Sequence, residues 1–228
     1  MTRPAALVFD LDGTLVDSRR DITTGLNRLR SELGLPPLSL DQVVAMVGEG
    51  AKMLLRRALA DWNQEPTKEI LDRYLSYYAE VCLDTTVPYP GIEEMLAELA
   101  ADYRMAVLSN KGERLSIEIL EGLDLAWRFK EILGGDSLPT RKPSPAGLNA
   151  LADRFNVPVE QLMLIGDSRI DAETARNAGC AFALVEWGFL GTPKEGMDAD
   201  IIVSTPDELV QKLVLRPGVA NGEPRSES

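Results

Sequence analysis

Apolar positions along this chain follow two different periods. The first run, residues 5–9 (AALVF), is continuous and too short for a helix, so it reads as a buried strand. Residues 17–33 then carry Ile22, Leu26, Leu29 and Leu33 at helical spacing, and Gly34-Leu35-Pro36-Pro37 ends that pattern. Two further helices are predicted at residues 48–59 and 67–82, the second with Ile70, Tyr74, Tyr77 and Val81 along one face. No strand pattern occurs between residues 17 and 87, which predicts a helical bundle inserted after a single strand. Val87-Pro88-Tyr89-Pro90-Gly91 is a breaker cluster, and beyond it the period changes. Short apolar runs at residues 105–108, 131–133, 162–165 and 181–185 alternate with helical patterns at 92–101, up to 120, from 145 and up to 178; a strand at 201–203 and a helix from 206 follow. That alternation predicts a parallel, doubly wound α/β core. The expected organisation is an α/β catalytic core from residues 1–16 and 88–215, an α-helical cap at 17–87, and a polar, breaker-rich tail at 216–228 that is expected to be mobile.

Composition narrows the chemistry. The chain has 228 residues, 45% of them hydrophobic, enough to bury a substantial core. Lys and Arg number 24 against 36 Asp and Glu, a net charge of -12, which repels nucleic acid and anionic membranes at long range. Histidine is absent, so Ser-His-Asp and Cys-His machinery and His-containing zinc sites are excluded, and acid–base work falls to carboxylate, Lys, Tyr or Cys. Cys82 and Cys180 lie far apart with no CxxC pair and are expected to be reduced thiols. No long apolar segment precedes residue 10, so neither a signal peptide nor a membrane span is read, and a cytoplasmic location is expected. Monomer and homodimer both stay open.

The candidate chemistry begins where the first apolar run ends, in FDLDGTLVDS (residues 9–18). Asp10 and Asp12, two apart at a strand end, lean the same way, and two such carboxylates repel unless something positive sits beside them. DxDG alone is also an ordinary turn. A calcium loop of the EF-hand kind fails on spacing, because Gly13, Thr14, Leu15 and Val16 follow Asp12 where further oxygen ligands are required. The rest of the chain decides. Ligands of open parallel sheets bind beyond the carboxyl ends of the strands. Ser109-Asn110-Lys111 follows the strand at 105–108, Arg141-Lys142-Pro143 follows that at 131–133, and Gly166-Asp167-Ser168 with Asp171 follows that at 162–165. Each fragment alone is an unremarkable cap or loop. Together they place three acids, a hydroxyl, an amide and a lysine at one sheet edge, a set suited to a divalent cation with a phosphate group.

In order and in nearly full coverage of the chain, FDLDGTLVDS, Ser109-Asn110-Lys111, Lys142-Pro143 and GDSRID (166–171) resemble the four motifs of the haloacid dehalogenase superfamily. MVGEGAKMLLRRAL (46–59) and GGDSLPTRKPSP (134–145) are similar to its phosphoglycolate phosphatase branch. The resemblance implies a Rossmann-like core with a mobile cap and a Mg²⁺-dependent phosphatase acting on a small phosphate monoester, most simply 2-phosphoglycolate. Asp10 would then attack phosphorus to form an aspartyl phosphate. Asp12 would protonate the departing alkoxide, later deprotonate water, and meet Mg²⁺ through its backbone carbonyl. Asp10 and Asp167 would supply carboxylate ligands to the metal. Thr14, Ser109, Asn110 and Lys142 would hold the phosphoryl oxygens. Asp171 would take a lesser part, either outer metal support or an anchor for Lys142.

Rival activities share these motifs. A dehalogenase of the superfamily usually lacks an acid at the place of Asp12, which argues against that chemistry. A phosphosugar mutase keeps both acids and returns the phosphoryl group to its substrate. A noncatalytic regulatory binder of a phosphorylated ligand has no need of a nucleophile and a separate acid. Outside the motifs, Gly48-Glu49-Gly50 lacks the strand and third glycine of a dinucleotide loop and is expected to shape the cap loop over the substrate. Lys52, Arg56 and Arg57 read as a solvated helix face. Residues 187–191 (WGFLG) read as a rim loop, with Phe189 where the related pattern often has Tyr.

Overall fold

The computed structural model describes residues 3–189 and 197–214. In chain order the elements are β1 (Ala6–Phe9), β2 (Val16–Asp17), α1 (Arg19–Glu32), α2 (Leu40–Val44), α3 (Ala51–Ala58), α4 (Lys68–Ala79), β3 (Val87–Pro88), α5 (Ile92–Leu99), β4 (Arg104–Leu108), α6 (Glu113–Gly122), β5 (Glu131–Leu133), α7 (Ala146–Phe155), β6 (Leu162–Gly166), α8 (Arg169–Ala178), β7 (Ala181–Val185), β8 (Ile201–Val203) and α9 (Pro206–Leu213). Six strands form one sheet in the order β5-β4-β1-β6-β7-β8. Every pairing in it is parallel. The doubly wound, Rossmann-like core expected from the alternating pattern is therefore present.

Register explains why these strands read as continuous apolar runs. Leu7 lies opposite Met105 and Met163, and Phe9 opposite Val107 and Ile165. Successive side chains point to opposite faces. So Leu7, Phe9, Met105, Val107, Met163 and Ile165 share one core with α5, α6 and α9, while Ala6, Val8, Ala106, Leu108, Leu162 and Leu164 share the other with α7 and α8. With helices on both faces, the central strands β1 and β6 have no position left to alternate with solvent.

Between β1 and α5 the chain leaves the sheet and returns. β2 and β3 pair antiparallel, Val16 with Pro88 and Asp17 with Val87, a two-residue ladder too short to give a sequence pattern. Buried Asp21 of α1 accepts hydrogen bonds from the backbone N–H and hydroxyl groups of both Thr85 and Thr86, tying the departing strand to the returning one. Between them α1 and α4 pack closely: a Cβ on Gly25 would stand 2.9 Å from Tyr78 Cα. Arg30 is buried in this bundle because each part of its guanidinium is used: Nε donates to Pro36 O at 2.8 Å, and Nη1 and Nη2 pair with Asp61 at 2.8 and 2.7 Å.

The bundle departs from expectation in two places. Helix α3 begins at Ala51 instead of 48, because Gly48 and Gly50 take φ of +119° and +83°, outside the helical region. Helix α2 is additional; five residues are too few for periodicity, and its signal is the capping box formed by Ser39 and Gln42. Cys82 and Cys180 are free thiols. No helix among the described residues is long and apolar enough to cross a membrane. The expected tail at 216–228 lies outside the described residues.

Candidate active site

From β1 the chain runs outward through β4 to β5, then returns to the other side of β1 as β6. The strand order reverses beside β1, and loops leaving β1 and β6 there open a crevice at their carboxyl ends. Asp10 extends β1 by one rung, its N–H donating to Ile165 O at 2.9 Å, while its Oδ1 accepts from Leu11 N at 2.7 Å. The N–H groups of Thr14, Leu15 and Val16 then all converge on Leu11 O, closing a tight turn.

Asp10, Asp167 and Asp171 are buried and offer carboxylate oxygens that all lie within 4.8 Å of one another. Lys142 Nζ stands 2.8 Å from Asp10 Oδ1 and 2.6 Å from Asp171 Oδ1. The other oxygen of Asp171 accepts from Ser168 N at 3.2 Å and Ser168 Oγ at 2.5 Å, within the capping box that opens α8. Of the two parts open to Asp171, this geometry favours the anchor for Lys142.

Burial pushes the Asp10 carboxyl up to about 7, with Lys142 pulling it back and Asp171 adding to the rise. Asp167 is raised well above its ordinary value, first by burial and then by Asp171 and Asp10. Burial alone would lower the Lys142 ammonium, but Asp10 and then Asp171 more than offset it and hold it above the usual lysine value. Lys142 pairs with two of these three clustered carboxylates, so the cluster suits a further hard cation with oxygen ligands. Because both oxygens of Asp171 are engaged by Lys142 and Ser168, Asp10 and Asp167 are the acids that could hold it. Asn110 Oδ1, on a residue that shares a pocket lining with Asp10 and Asp167, is buried with no hydrogen-bond partner among the described residues, which also fits a site built around a ligand. Thr14 Oγ1 and Tyr89 OH are likewise unpartnered among the described residues, but their residues are not in that lining.

Asp12 makes a different set of contacts. Its Oδ1 accepts from Ser18 Oγ and lies 2.9 Å from Lys111 Nζ, and it lines a chamber of about 800 Å³, open mouth included, under the helical bundle. Asp10, Asp167, Ser109, Asn110, Gly48 and Gly50 line the same chamber. The Asn110 amide donates to Gly48 O at 2.9 Å and to Lys142 O at 3.0 Å, so it ties the glycine loop to the lysine loop. Thr14 is buried and stands apart from the chamber lining; its carbonyl accepts from Trp187 Nε1 at 3.0 Å. Arg57 pairs with Glu49 and Arg56 with Glu65, and neither they nor Lys52 line the chamber. Phe189 does, and its backbone N–H donates to Asp167 Oδ2 at 2.8 Å; Leu190 and Gly191 of the expected rim loop lie outside the described residues. Sequence reading left Lys111 and Tyr78 unassigned. Lys111 Nζ donates to Tyr78 OH from α4, a contact 33 residues apart that no local pattern announces.

Gly13 sets how near the two loops come. It sits at φ +86°, and a Cβ there would stand 2.3 Å from Asp167 Oδ2. Gly13→Ala is expected to displace the Asp167 carboxylate and lower turnover by roughly a hundredfold, with a stability loss of about 1–2 kcal/mol from the left-handed backbone. Activity and melting temperature measured on the same preparation check both parts; wild-type turnover would show that the loops have slack.

A family model described as haloacid dehalogenase-like hydrolase matches residues 7–185. The chain belongs to that family. Within this haloacid dehalogenase-like group it is 40% identical over 205 residues to a phosphoglycolate phosphatase of Rhodospirillum rubrum, covering 86% of this chain and 85% of that one. It is 37% identical over 210 residues to one of Chromobacterium violaceum, covering 90% and 94%. The crystal structure of a predicted phosphoglycolate phosphatase from Haemophilus somnus superposes with a TM-score of 0.86 at 31% identity, covering 93% of this chain and 99% of that one. The resemblance read from the four motifs, to superfamily phosphatases of the phosphoglycolate phosphatase branch, is borne out.

Proposed function

We propose that this haloacid dehalogenase-like phosphatase is Mg²⁺-dependent and hydrolyses 2-phosphoglycolate to glycolate and phosphate through an aspartyl phosphate on Asp10. The observation that carries this reading is the division of labour at the end of β1. Asp10 joins the Lys142, Asp167 and Asp171 cluster, whereas the Asp12 carboxyl pairs with Lys111 and Ser18, and both acids line the chamber. One acid is thus placed to meet phosphorus and the other to meet the leaving group. Relatives called phosphoglycolate phosphatase support the substrate.

Asp10 and Asp167 would hold Mg²⁺ together with the Asp12 backbone carbonyl; when bound, the ion supplies positive charge for the carboxylates and the phosphoryl oxygens. The remaining chemistry is the chain's own. Asp10 Oδ forms a bond to phosphorus as the phosphorus–ester oxygen bond breaks, and Asp12 gives its proton to the departing alkoxide. Asp12 then takes a proton from water, which attacks phosphorus, breaks the acyl phosphate and restores Asp10. Lys142, pinned by Asp171, and Ser109 would hold phosphoryl oxygens as charge builds on them. The apolar bundle over the chamber would limit bulk water during the first step once it closes on the substrate. The net charge of -12 argues against nucleic acid or an anionic membrane as partner.

Phosphate release at neutral pH, with and without Mg²⁺, from 2-phosphoglycolate, phosphosugars, nucleotides and an aryl phosphate tests the reading. A Mg²⁺-dependent preference for 2-phosphoglycolate is expected. Preference for another member replaces the substrate; an isomerised phosphosugar without free phosphate replaces the reaction with a mutase; no release from any member overturns it.

A further inference from the structure

The chamber above Asp12 is largely apolar. Ile22, Val44, Val47, Leu54, Leu75 and Leu115 wall it. Among the described residues that line it, Lys111 is the one cation. A leaving group that carries a carboxylate loses water on entering such a space, and that loss is costly unless the charge is paired.

We propose that Lys111 is a specificity-determining residue of this enzyme, its ammonium binding a carboxylate carried one carbon away from the ester oxygen of the substrate. The inference rests on the 2-phosphoglycolate reading above and names the side chain that would select for it.

Three observations place Lys111 for this task. Its side chain is only 7% exposed, so the ammonium is held and is not a solvated surface charge. Two contacts fix it: Asp12 Oδ1 at 2.9 Å and the Tyr78 hydroxyl, with Nζ also 4.5 Å from the Tyr78 ring centroid. An ammonium has three N–H donors, so one is left for a substrate oxygen. The third observation is the neighbour itself. An acid that protonates the leaving oxygen comes within about 3 Å of it. A group 2.9 Å from that acid then lies beside the atoms attached to the same oxygen. In a phosphate ester of a 2-hydroxy acid those atoms are a single carbon and its carboxylate. Arg57, on α3 just after the glycine loop, is taken by Glu49 and by Met46 O, away from the chamber lining.

The class so defined is the phosphate monoesters of short 2-hydroxy acids, with glycolate the smallest alcohol. The test compares kcat/KM for 2-phosphoglycolate with kcat/KM for ethyl phosphate, which has the same chain without the carboxylate, in wild type, Lys111→Met and Lys111→Gln with Mg²⁺ present. The wild-type ratio is expected well above one. In both variants it is expected to fall about a hundredfold, mainly through KM for 2-phosphoglycolate, because a buried charge pair is lost. The ratio is the readout because Lys111 also touches Asp12, and any effect through the acid slows both substrates together. A large wild-type ratio that moves less than about threefold in the variants overturns the role of Lys111 alone. A wild-type ratio at or below one overturns the substrate reading and this inference with it. If the methionine variant does not fold, the glutamine variant, which keeps a polar donor beside Asp12, decides by the same ratio.

Discussion

Asp10→Asn is expected to lower phosphate release by about 10⁵-fold or more while the protein stays folded. Asparagine keeps the shape of the side chain and the acceptor for Leu11 N–H, but its amide does not form the acyl phosphate. The uncatalysed reaction is slow enough that enhancements for phosphate monoesters reach roughly 10²¹, so losing the covalent step leaves no fast alternative. Stability should move the other way. Burial raises the Asp10 carboxyl to about 7, so the folded, metal-free protein holds that proton more tightly than the unfolded chain does. This favours folding at low pH and is lost as pH rises from the ordinary carboxylate range through about 7. The amide carries no such charge, so metal-free Asp10→Asn should show a flatter dependence of melting temperature on pH than wild type. Single-turnover phosphate release and melts from pH 5 to 8.5 check both. Turnover within tenfold of wild type would remove Asp10 as nucleophile.

The second large effect is at Lys142. Its ammonium is 2% exposed and bridges Asp10 and Asp171. Lys142→Met keeps much of the volume and removes the charge, leaving two buried carboxylates without their cation. Breaking such a pair from one side costs about 3–5 kcal/mol. For a domain of this size that lowers the melting temperature by roughly 6–20 °C. Turnover should fall by about a thousandfold as well, since in the proposed mechanism the ammonium would also hold phosphoryl oxygens. Asp171→Asn separates the two effects. It keeps an oxygen for Lys142, so its stability loss should be smaller, while the loosened lysine still lowers turnover. Wild-type melting and turnover in Lys142→Met would mean that the cluster does not depend on this ammonium.

How much could be read in advance follows from how local each signal is. The central strands of the sheet are legible because burial on both faces makes them unbroken apolar runs, and the edge strands Glu131–Leu133 and Ile201–Val203, less fully buried, still lie where their short apolar runs put them. The start of α3 was misplaced because two glycines carry the chain through positive φ before the helix begins. Helix α2 and the β2–β3 ladder were unread, being shorter than the periods that reveal helices and strands. At the site, Asp10, Ser109, Lys142 and Asp167 each follow a strand, so strand order and chain order together bring them to one rim. The link between Lys111 and Tyr78 joins a core loop to a helix of the inserted bundle, and neither residue has a neighbour in sequence that points to the other.

By itself, then, the amino-acid sequence determined the parallel α/β core, the helical insertion and the set of acids, hydroxyl and lysine at the sheet edge, because each is written in a local period or in the residues just past a strand. Only the tertiary structure decided how those groups divide. It set Lys142 between Asp10 and Asp171, placed Gly13 against Asp167, and paired Asp12 with Lys111, which Tyr78 also holds. These are contacts between segments far apart in the chain, made at distances where electrostatics and steric fit change within a fraction of an ångström, and no periodicity along the sequence encodes them.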